Sequence, residues 1–319
     1  MPSTGDKTSD STDRSRGSMT IVSIGAVLWD VFGKEEHIGG APFNLAAHAA
    51  KLGHHVVFVS AVGEDERGRR ALERMKTLGL DTRFVRRVRN APTGYVTVFV
   101  AANGQPDYVI HRPAAYDFSV LTADDRAILE NLSPRWICFG TLEQLSAQVR
   151  QLTRDLIRAN PQARRLYDIN LRRDSYQPDL VRELLGEASI LKINEDEVRV
   201  VQQMFGDPPC DLETFCRVYG KRFGCEGVCV TRGERGCGLF LDGQYIESPG
   251  YKISVVDTVG AGDAFAAAFL HGLASQWSTP QIADFANRLG ALVASQRGAI
   301  PGWTMEQLGN AFDGSRGSS

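Results

Sequence analysis

The six cysteines (Cys138, Cys210, Cys216, Cys225, Cys229 and Cys237) include no CxxC pair, so the tight ligand spacing of a four-ligand zinc site is missing. They are spread through predicted strands and helices and read as buried free thiols of a reducing compartment, the cytoplasm. No apolar run approaches the roughly 18 residues that a bilayer span requires, so no membrane partner is expected. The start of the chain lacks a basic flank followed by an apolar stretch, and no secretory signal is readable. Charge of one sign is also missing: 36 Lys and Arg face 38 Asp and Glu, a formal net charge of −2. A chain without a basic excess has no electrostatic pull toward nucleic acid. Arginine far outnumbers lysine, but a bias spread over the whole chain carries no functional weight. Several catalytic signatures are absent as well: GxxxxGK[ST], GxGxxG after a strand, HExxH and GxSxG. His111-Arg112-Pro113 lacks the Asp that a protein-kinase catalytic loop needs.

What is present is an ordinary globular composition. With 319 residues, 43% hydrophobic and 23% charged, the chain can bury a large core, which excludes disorder throughout. Met1 to Ser18 and Gly314 to Ser319 hold almost nothing to bury and read as disordered tails. Residues 19–313 contain no Gly/Ser linker and no repeat, so a single domain is expected there.

Within that domain, Thr20 to Gly25 is a short apolar run ending in glycine, as in a buried strand. Ala41 to Gly53 has proline near its start and glycine just past its end, the punctuation of a helix. His55 to Ala61 predicts a strand and Arg67 to Leu78 a helix. Further strands are expected at Trp136 to Gly140, Arg165 to Ile169, Ser189 to Ile193 and Gly227 to Thr231. Alternating strands and helices imply an α/β fold, a doubly wound and mostly parallel sheet with helices on both faces. One stretch breaks the rhythm. Thr93 to Val100, then Asn103-Gly104, then Asp107 to Arg112 predicts a β-hairpin, either a small sheet over a cleft or an antiparallel edge of the main sheet.

Chemistry concentrates at Val255-Val256-Asp257-Thr258-Val259-Gly260-Ala261-Gly262-Asp263, read as a strand end, a glycine turn and a helix start. Backbone N–H groups and the helix dipole at such a turn make an anion site, and Asp263 beside it could accept a proton. A tight turn followed by an N-terminal charge is the plainer reading. Asn194 and Glu197 stand three apart on one helical face, as a polar pair or as a helix cap with an exposed Glu. Asp30 sits among large apolar residues, where an unpartnered buried carboxylate is costly, so it is expected to face a ligand.

These segments resemble, in order along the chain, the motifs of the ribokinase-like sugar kinases, the phosphofructokinase-B family. Asp257 to Asp263 resembles its C-terminal signature, and Gly39-Gly40-Ala41-Pro42-Phe43-Asn44 its N-terminal glycine pair with a sugar-contacting Asn. Val62 to Gly68, Asp168 to Arg172, Lys192 to Glu197 and Thr231 to Gly236 are similar to its internal motifs. The resemblance implies an ATP-dependent sugar kinase in which Asp263 is the base, Gly260, Ala261 and Gly262 an anion hole, and Arg172 an added positive charge. It implies sugar contacts from Asp30, Gly39, Gly40 and Asn44, and nucleotide contacts from Lys192, Asn194, Thr231, Gly233, Gly236, Gly262 and Asn287. It further implies Mg²⁺ near Asn194 and Glu197, mostly through water, and K⁺ near Asp257 and Val259. Strands at about 31–40 and 93–113 would form a lid over the sugar, and two copies could pair through it. Tyr95, Thr97 and Phe99 share one face of that hairpin, either toward the sugar or packed away from it.

Gly39 to Pro42, Phe139-Gly140-Thr141-Leu142, Asp168 to Arg172 and Leu191 to Glu195 resemble fructokinases more than ribokinases, so D-fructose is the expected substrate. Ribokinase, adenosine-type and 2-keto-3-deoxygluconate kinases are the alternatives, beside a catalytically idle sugar-sensing relative. A dinucleotide-binding dehydrogenase is disfavoured by the missing fingerprint. Glu143 stands where a fructokinase loop usually carries no acid. If it touches the sugar, like charge would disfavour sugar acids.

Overall fold

The computed structural model describes residues 18–100, 106–172 and 175–310. The expected tails therefore lie outside the described residues, apart from Ser18, whose hydroxyl donates to the Gly53 carbonyl. The Asn103-Gly104 turn lies outside them too.

The chain opens with β1 (Thr20–Ile24), β2 (Leu28–Phe32) and β3 (Glu35–Gly39). Then come α1 (Ala41–Lys51), β4 (His55–Gly63), α2 (Glu66–Thr77) and β5 (Val85–Val88). The expected hairpin is β6 (Gly94–Val100) paired antiparallel with β7 (Pro106–Ile110). The middle runs through α3 (Ala123–Asn131), β8 (Trp136–Phe139), α4 (Ala147–Ala159), β9 (Arg164–Asp168), α5 (Pro178–Glu187) and β10 (Ile190–Asn194). The last part is α6 (Glu195–Phe205), α7 (Leu212–Phe223), β11 (Gly227–Thr231), β12 (Cys237–Leu241), β13 (Gln244–Ser248), α8 (Ala261–Ala274), α9 (Thr279–Ala294) and α10 (Met305–Asn310).

The large sheet has nine strands in the order β13-β12-β11-β10-β9-β8-β1-β4-β5. It is parallel from β5 to β11, and the β12–β13 hairpin closes one edge antiparallel. The parallel strands are buried on both faces because helices cover both, which is why they read as continuous apolar runs. One core packs α1, α8 and α9 on the sheet, with Phe43, Phe265 and Phe269 at its centre. The other packs α4 to α7, through Leu152, Leu184, Val201 and Phe215. Small residues let α8 approach α9 closely: a Cβ on Gly272 would come 2.9 Å from Ile282.

The second sheet, β3-β2-β6-β7, stands apart with its own small core of Leu28, Val96, Val98 and Tyr116. The hairpin is thus part of a separate sheet, not an edge of the main one. The lid strands begin earlier than expected, at Leu28, and β2 runs parallel to β6 while its other partner β3 is antiparallel. This sheet is fastened to α2. The Arg67 guanidinium lies over Tyr95 and that of Arg70 over Trp29, while Glu36 accepts from both arginines at 2.7 Å. Tyr95 is sandwiched between Arg67 and His111, and the Thr97 hydroxyl bonds the same His111 ring at 2.8 Å. Tyr95, Thr97 and Phe99 are therefore on the packed-away face. The alternating positions Leu28, Asp30 and Val96 face the cleft.

The thiols are all free, and all are buried except Cys210, which is exposed. No helix among the described residues is long and apolar enough to cross a membrane.

Candidate active site

A cavity of about 400 Å³ opens where the C-terminal ends of β1, β8, β9, β10 and β11 meet the starts of α1 and α8, under the small sheet. Open parallel sheets place ligands at such carboxyl ends. Gly260 caps α8 with φ +80°, and a Cβ there would lie 2.4 Å from the Ala299 carbonyl oxygen, so only glycine fits. The Asp257 carboxylate accepts from the Val259 and Gly298 N–H groups at 3.0 Å each, splicing this turn to the segment after α9. Val255 and Val256, expected as a strand end, are irregular and exposed. The N–H groups of Val256 and Asp257 go to the Ala294 carbonyl at the end of α9, leaving none for a sheet partner. Gly260 and Gly262 line the cavity. Ala261 does not: its N–H closes the turn onto the Thr258 carbonyl at 3.3 Å.

Asp263 is in the first turn of α8, and its Oδ2 accepts from Asn44 Nδ2 at 2.8 Å. Desolvation, then the Asp168 carboxylate, pushes the Asp263 carboxyl up to about 6 against the pull of Lys192, Asn44 and Arg172. A carboxylate with that value is ionised at neutral pH yet basic enough to take a proton. The oxygen of the Asn44 amide, Oδ1, is buried with no protein partner, an acceptor left for a bound hydroxyl.

Behind Asp263, Lys192 Nζ donates to both oxygens of Asp168 at 2.9 and 2.7 Å. Desolvation opposes the Lys192 charge, but Asp168 and Asp263 outweigh it and hold the ammonium above its usual range. Asp168 was not singled out from the sequence. The available signal was a single acid at the end of a buried strand, in register with the single lysine of the neighbouring one.

Asp30, on β2, is half-buried. Desolvation pushes its carboxyl up to about 6, while Arg172 and His37 pull it down. Arg172 is an exposed residue of the cavity wall and faces both Asp30 and Asp263 electrostatically. Gly40 lines the cavity at the start of α1, where a Cβ would strike the Ala26 carbonyl. Gly39 backs Asp30 instead, with room for a Cβ only 3.1 Å from its carboxylate.

Asn194 and Glu197 form a reciprocal capping box at the start of α6: Asn194 Oδ1 accepts from the Glu197 N–H and Glu197 Oε2 from the Asn194 N–H, both at 2.9 Å. Glu197 Oε1 accepts from the Leu171 N–H, so the Glu of the plainer reading is buried, not exposed. Both residues line the cavity, but the described residues include no group of three acids or histidines placed to chelate a metal directly. The donor set fits a hydrated ion held through water.

Thr231 lines the cavity at the end of β11. Gly233, Gly236 and Asn287 do not. A Cβ on Gly236 would meet the Ser248 carbonyl at 2.1 Å, and Asn287 Nδ2 donates to Ser248 Oγ and the Pro249 carbonyl at 3.2 Å. These residues form a braced shelf beyond Thr231. Glu143 is also displaced from its expected role. It is only 1% exposed, its carboxyl accepts from the Gly140 N–H at 2.8 Å, and desolvation pushes it up to about 7. A carboxyl raised by burial carries less charge at neutral pH, which weakens the like-charge argument against sugar acids.

A family model described as pfkB family carbohydrate kinase matches residues 17–305. Probable fructokinase-5 of Arabidopsis thaliana is 28% identical over 277 residues, covering 82% of this chain and 84% of its own. Fructokinase-2 of Zea mays is 28% identical over 278 residues, covering 82% and 81%. A crystal structure of fructokinase with bound ATP from Xylella fastidiosa matches with a TM-score of 0.78 at 21% identity, over 88% of this chain and 94% of that one. An uncharacterized sugar kinase from Pyrococcus horikoshii in complex with ATP matches with 0.74 at 26%, over 88% and 94%. The first of these structures speaks for the fold. The family match spans the small sheet, the Asn44–Asp263 pair and the glycine turn alike, and the chain belongs to the pfkB family of carbohydrate kinases.

Proposed function

We propose that this member of the family phosphorylates a neutral sugar at the expense of ATP, with D-fructose as the substrate. The kinase chemistry rests on one observation above all: an Asp with its carboxyl raised to about 6 sits in the first turn of α8, beside a glycine turn that lines the same cavity. In the reaction, Asp263 takes the proton of the sugar hydroxyl, whose oxygen bonds to the γ-phosphorus as the bond to ADP breaks. Backbone N–H groups at Gly260 and Gly262 and the charges of Lys192 and Arg172 face the negative charge that redistributes over the phosphoryl oxygens. Asp30 and Asn44 supply acceptors for the remaining hydroxyls. Thr231 and the shelf of Gly233, Gly236 and Asn287 would carry the nucleotide. A hydrated Mg²⁺, held through water by Asn194 and Glu197, would neutralise phosphate charge.

Fructose is supported by the names of the relatives, and the acceptor-rich wall suits any hydroxyl-rich neutral sugar. A sugar acid is the second reading, favoured by Arg172 in the wall and by a Glu143 whose charge is reduced by burial. ADP release measured side by side for fructose, ribose, tagatose, adenosine and 2-keto-3-deoxygluconate tests this. A tenfold preference for another compound replaces fructose, and sugar binding without turnover makes the chain a sensing relative. K⁺ between the Asp257–Val259 turn and the 297–302 segment would add to the field at the phosphate. The expected result is a faster rate in K⁺ than in Na⁺ or a bulky organic cation. Equal rates remove the ion.

A further inference from the structure

One face of α1 runs through Asn44, His48 and Lys51, and each of these reaches residues from the far end of the chain. Asn44 holds Asp263. Lys51 Nζ lies 4.6 Å over the Trp303 ring. Between them, His48 is completely buried, with Nε2 2.9 Å from the Ala299 carbonyl oxygen and Nδ1 accepting from the Trp303 indole N–H at 3.1 Å. That geometry fixes the tautomer. An indole N–H only donates, so Nδ1 is the bare nitrogen and Nε2 carries the proton given to Ala299. Burial favours the neutral ring this arrangement needs and pushes His48 down to about 4, with Lys51 adding to the effect. The Ala299 carbonyl is the group against which Gly260 turns, at a distance that leaves no room for a Cβ, and Gly298 donates to the Asp257 carboxylate of the same turn. A chain of contacts therefore runs from His48 through Ala299 to Gly260.

We propose that His48 is a positioning residue for the phosphoryl-transfer turn: by fixing the Ala299 carbonyl it sets the backbone of this turn at the distance at which the Gly260 and Gly262 N–H groups act. The inference rests on the kinase reading above. A displacement of about 1 Å in such a group costs on the order of 10²-fold in rate. The N–H groups act on charge that redistributes only during transfer, so the loss belongs to kcat and not to binding.

His48→Leu fills the space without either hydrogen bond, and kcat falls about 10²-fold while KM for sugar and for ATP stays within about two-fold. His48→Gln offers one donor and one acceptor about as far apart as the two ring nitrogens, and restores kcat to within about three-fold. Nitrogen NMR of the wild-type ring, with the proton on Nε2 and none on Nδ1, supports the assignment without reference to activity. The reverse tautomer overturns it. If His48→Leu does not fold, Trp303→Phe decides, since it keeps the ring and removes the donor. Lowered kcat with unchanged KM supports the proposal, and unchanged kcat overturns it. Wild-type kcat in a folded His48→Leu, or a loss confined to sugar KM, also overturns it. A wild-type chain that turns over no sugar would sink the kinase reading instead, and the NMR result would still stand.

Discussion

Asp263 has two properties that a substitution can separate, its proton affinity and its place in the first turn of α8. Asp263→Asn keeps the second and removes the first, so kcat should fall about 10²- to 10⁴-fold, with ATP affinity little changed. Near wild-type turnover in that variant would end its assignment as base. With the carboxyl at about 6, wild-type kcat/KM should fall as pH drops through about 6, because the protonated acid cannot accept. Asn194 and Glu197 pose a different separation, since both cap α6 as well as facing the cavity. Asn194→Ala should cost about 1 kcal/mol of stability as a lost cap. If the pair also holds a hydrated Mg²⁺, the Mg²⁺ concentration for half-maximal rate rises too. A lower melting temperature with unchanged Mg²⁺ dependence would leave the cap as their whole role.

The small sheet packs Trp29, Val31, Ile38 and Tyr95 on the main core and is latched to α2 by polar contacts that are individually weak. Glu36 bridges Arg67 and Arg70, and those arginines cover Tyr95 and Trp29. Partly exposed ion pairs and cation–π contacts contribute about 1 kcal/mol each, so removing one should loosen this latch without unfolding the domain. Glu36→Ala should raise sugar KM about 3- to 10-fold by loosening the closed lid, with kcat little changed. A kcat that falls while KM holds would place the latch in the chemical step instead. The hairpin itself was legible from Thr93 to Arg112, but not which of its faces meets the cavity. Period two gives two faces and no preference between them. The choice comes from Arg67 and Arg70 on α2, whose partners no local pattern reveals. The main strands were legible for the opposite reason. Most are covered on both sides, so their runs are largely apolar, and polar residues such as Asp168 and Asn194 stand at the ends that meet the cavity. Asn44, Asp263 and the glycine turn were legible as motifs. Their mutual hydrogen bond was not, since it joins residues 219 apart.

Across the whole molecule, two sets of buried groups oppose each other in acid. His48 and His54 are held down to about 4 by desolvation, so the folded state prefers them neutral and loses stability as pH falls from about 6.5 toward 4. Asp30 and Asp263 are raised to about 6 and Glu143 to about 7, and the folded state prefers them protonated, so it gains stability as pH falls through much the same window. The melting temperature of the ligand-free protein should therefore change little between about pH 6.5 and about pH 4. Asp30→Asn with Asp263→Asn removes most of the second set and should tilt the profile, so that the melting temperature drops as pH is lowered. A profile that stays flat in the double variant would mean that the histidines are not neutral in the fold. The seat of Ala299 and Trp303 on His48 has a further consequence, one of timing. The partners are 251 and 255 residues apart, so nearly the whole chain must leave the ribosome before the glycine turn gains its support. Closing so long a loop adds little entropic cost over a shorter one, but the closure cannot happen early. The nascent enzyme should thus bind and release sugar before it can spend ATP, and a chain ending at Gly298 should be inactive even where its sheet is native by circular dichroism.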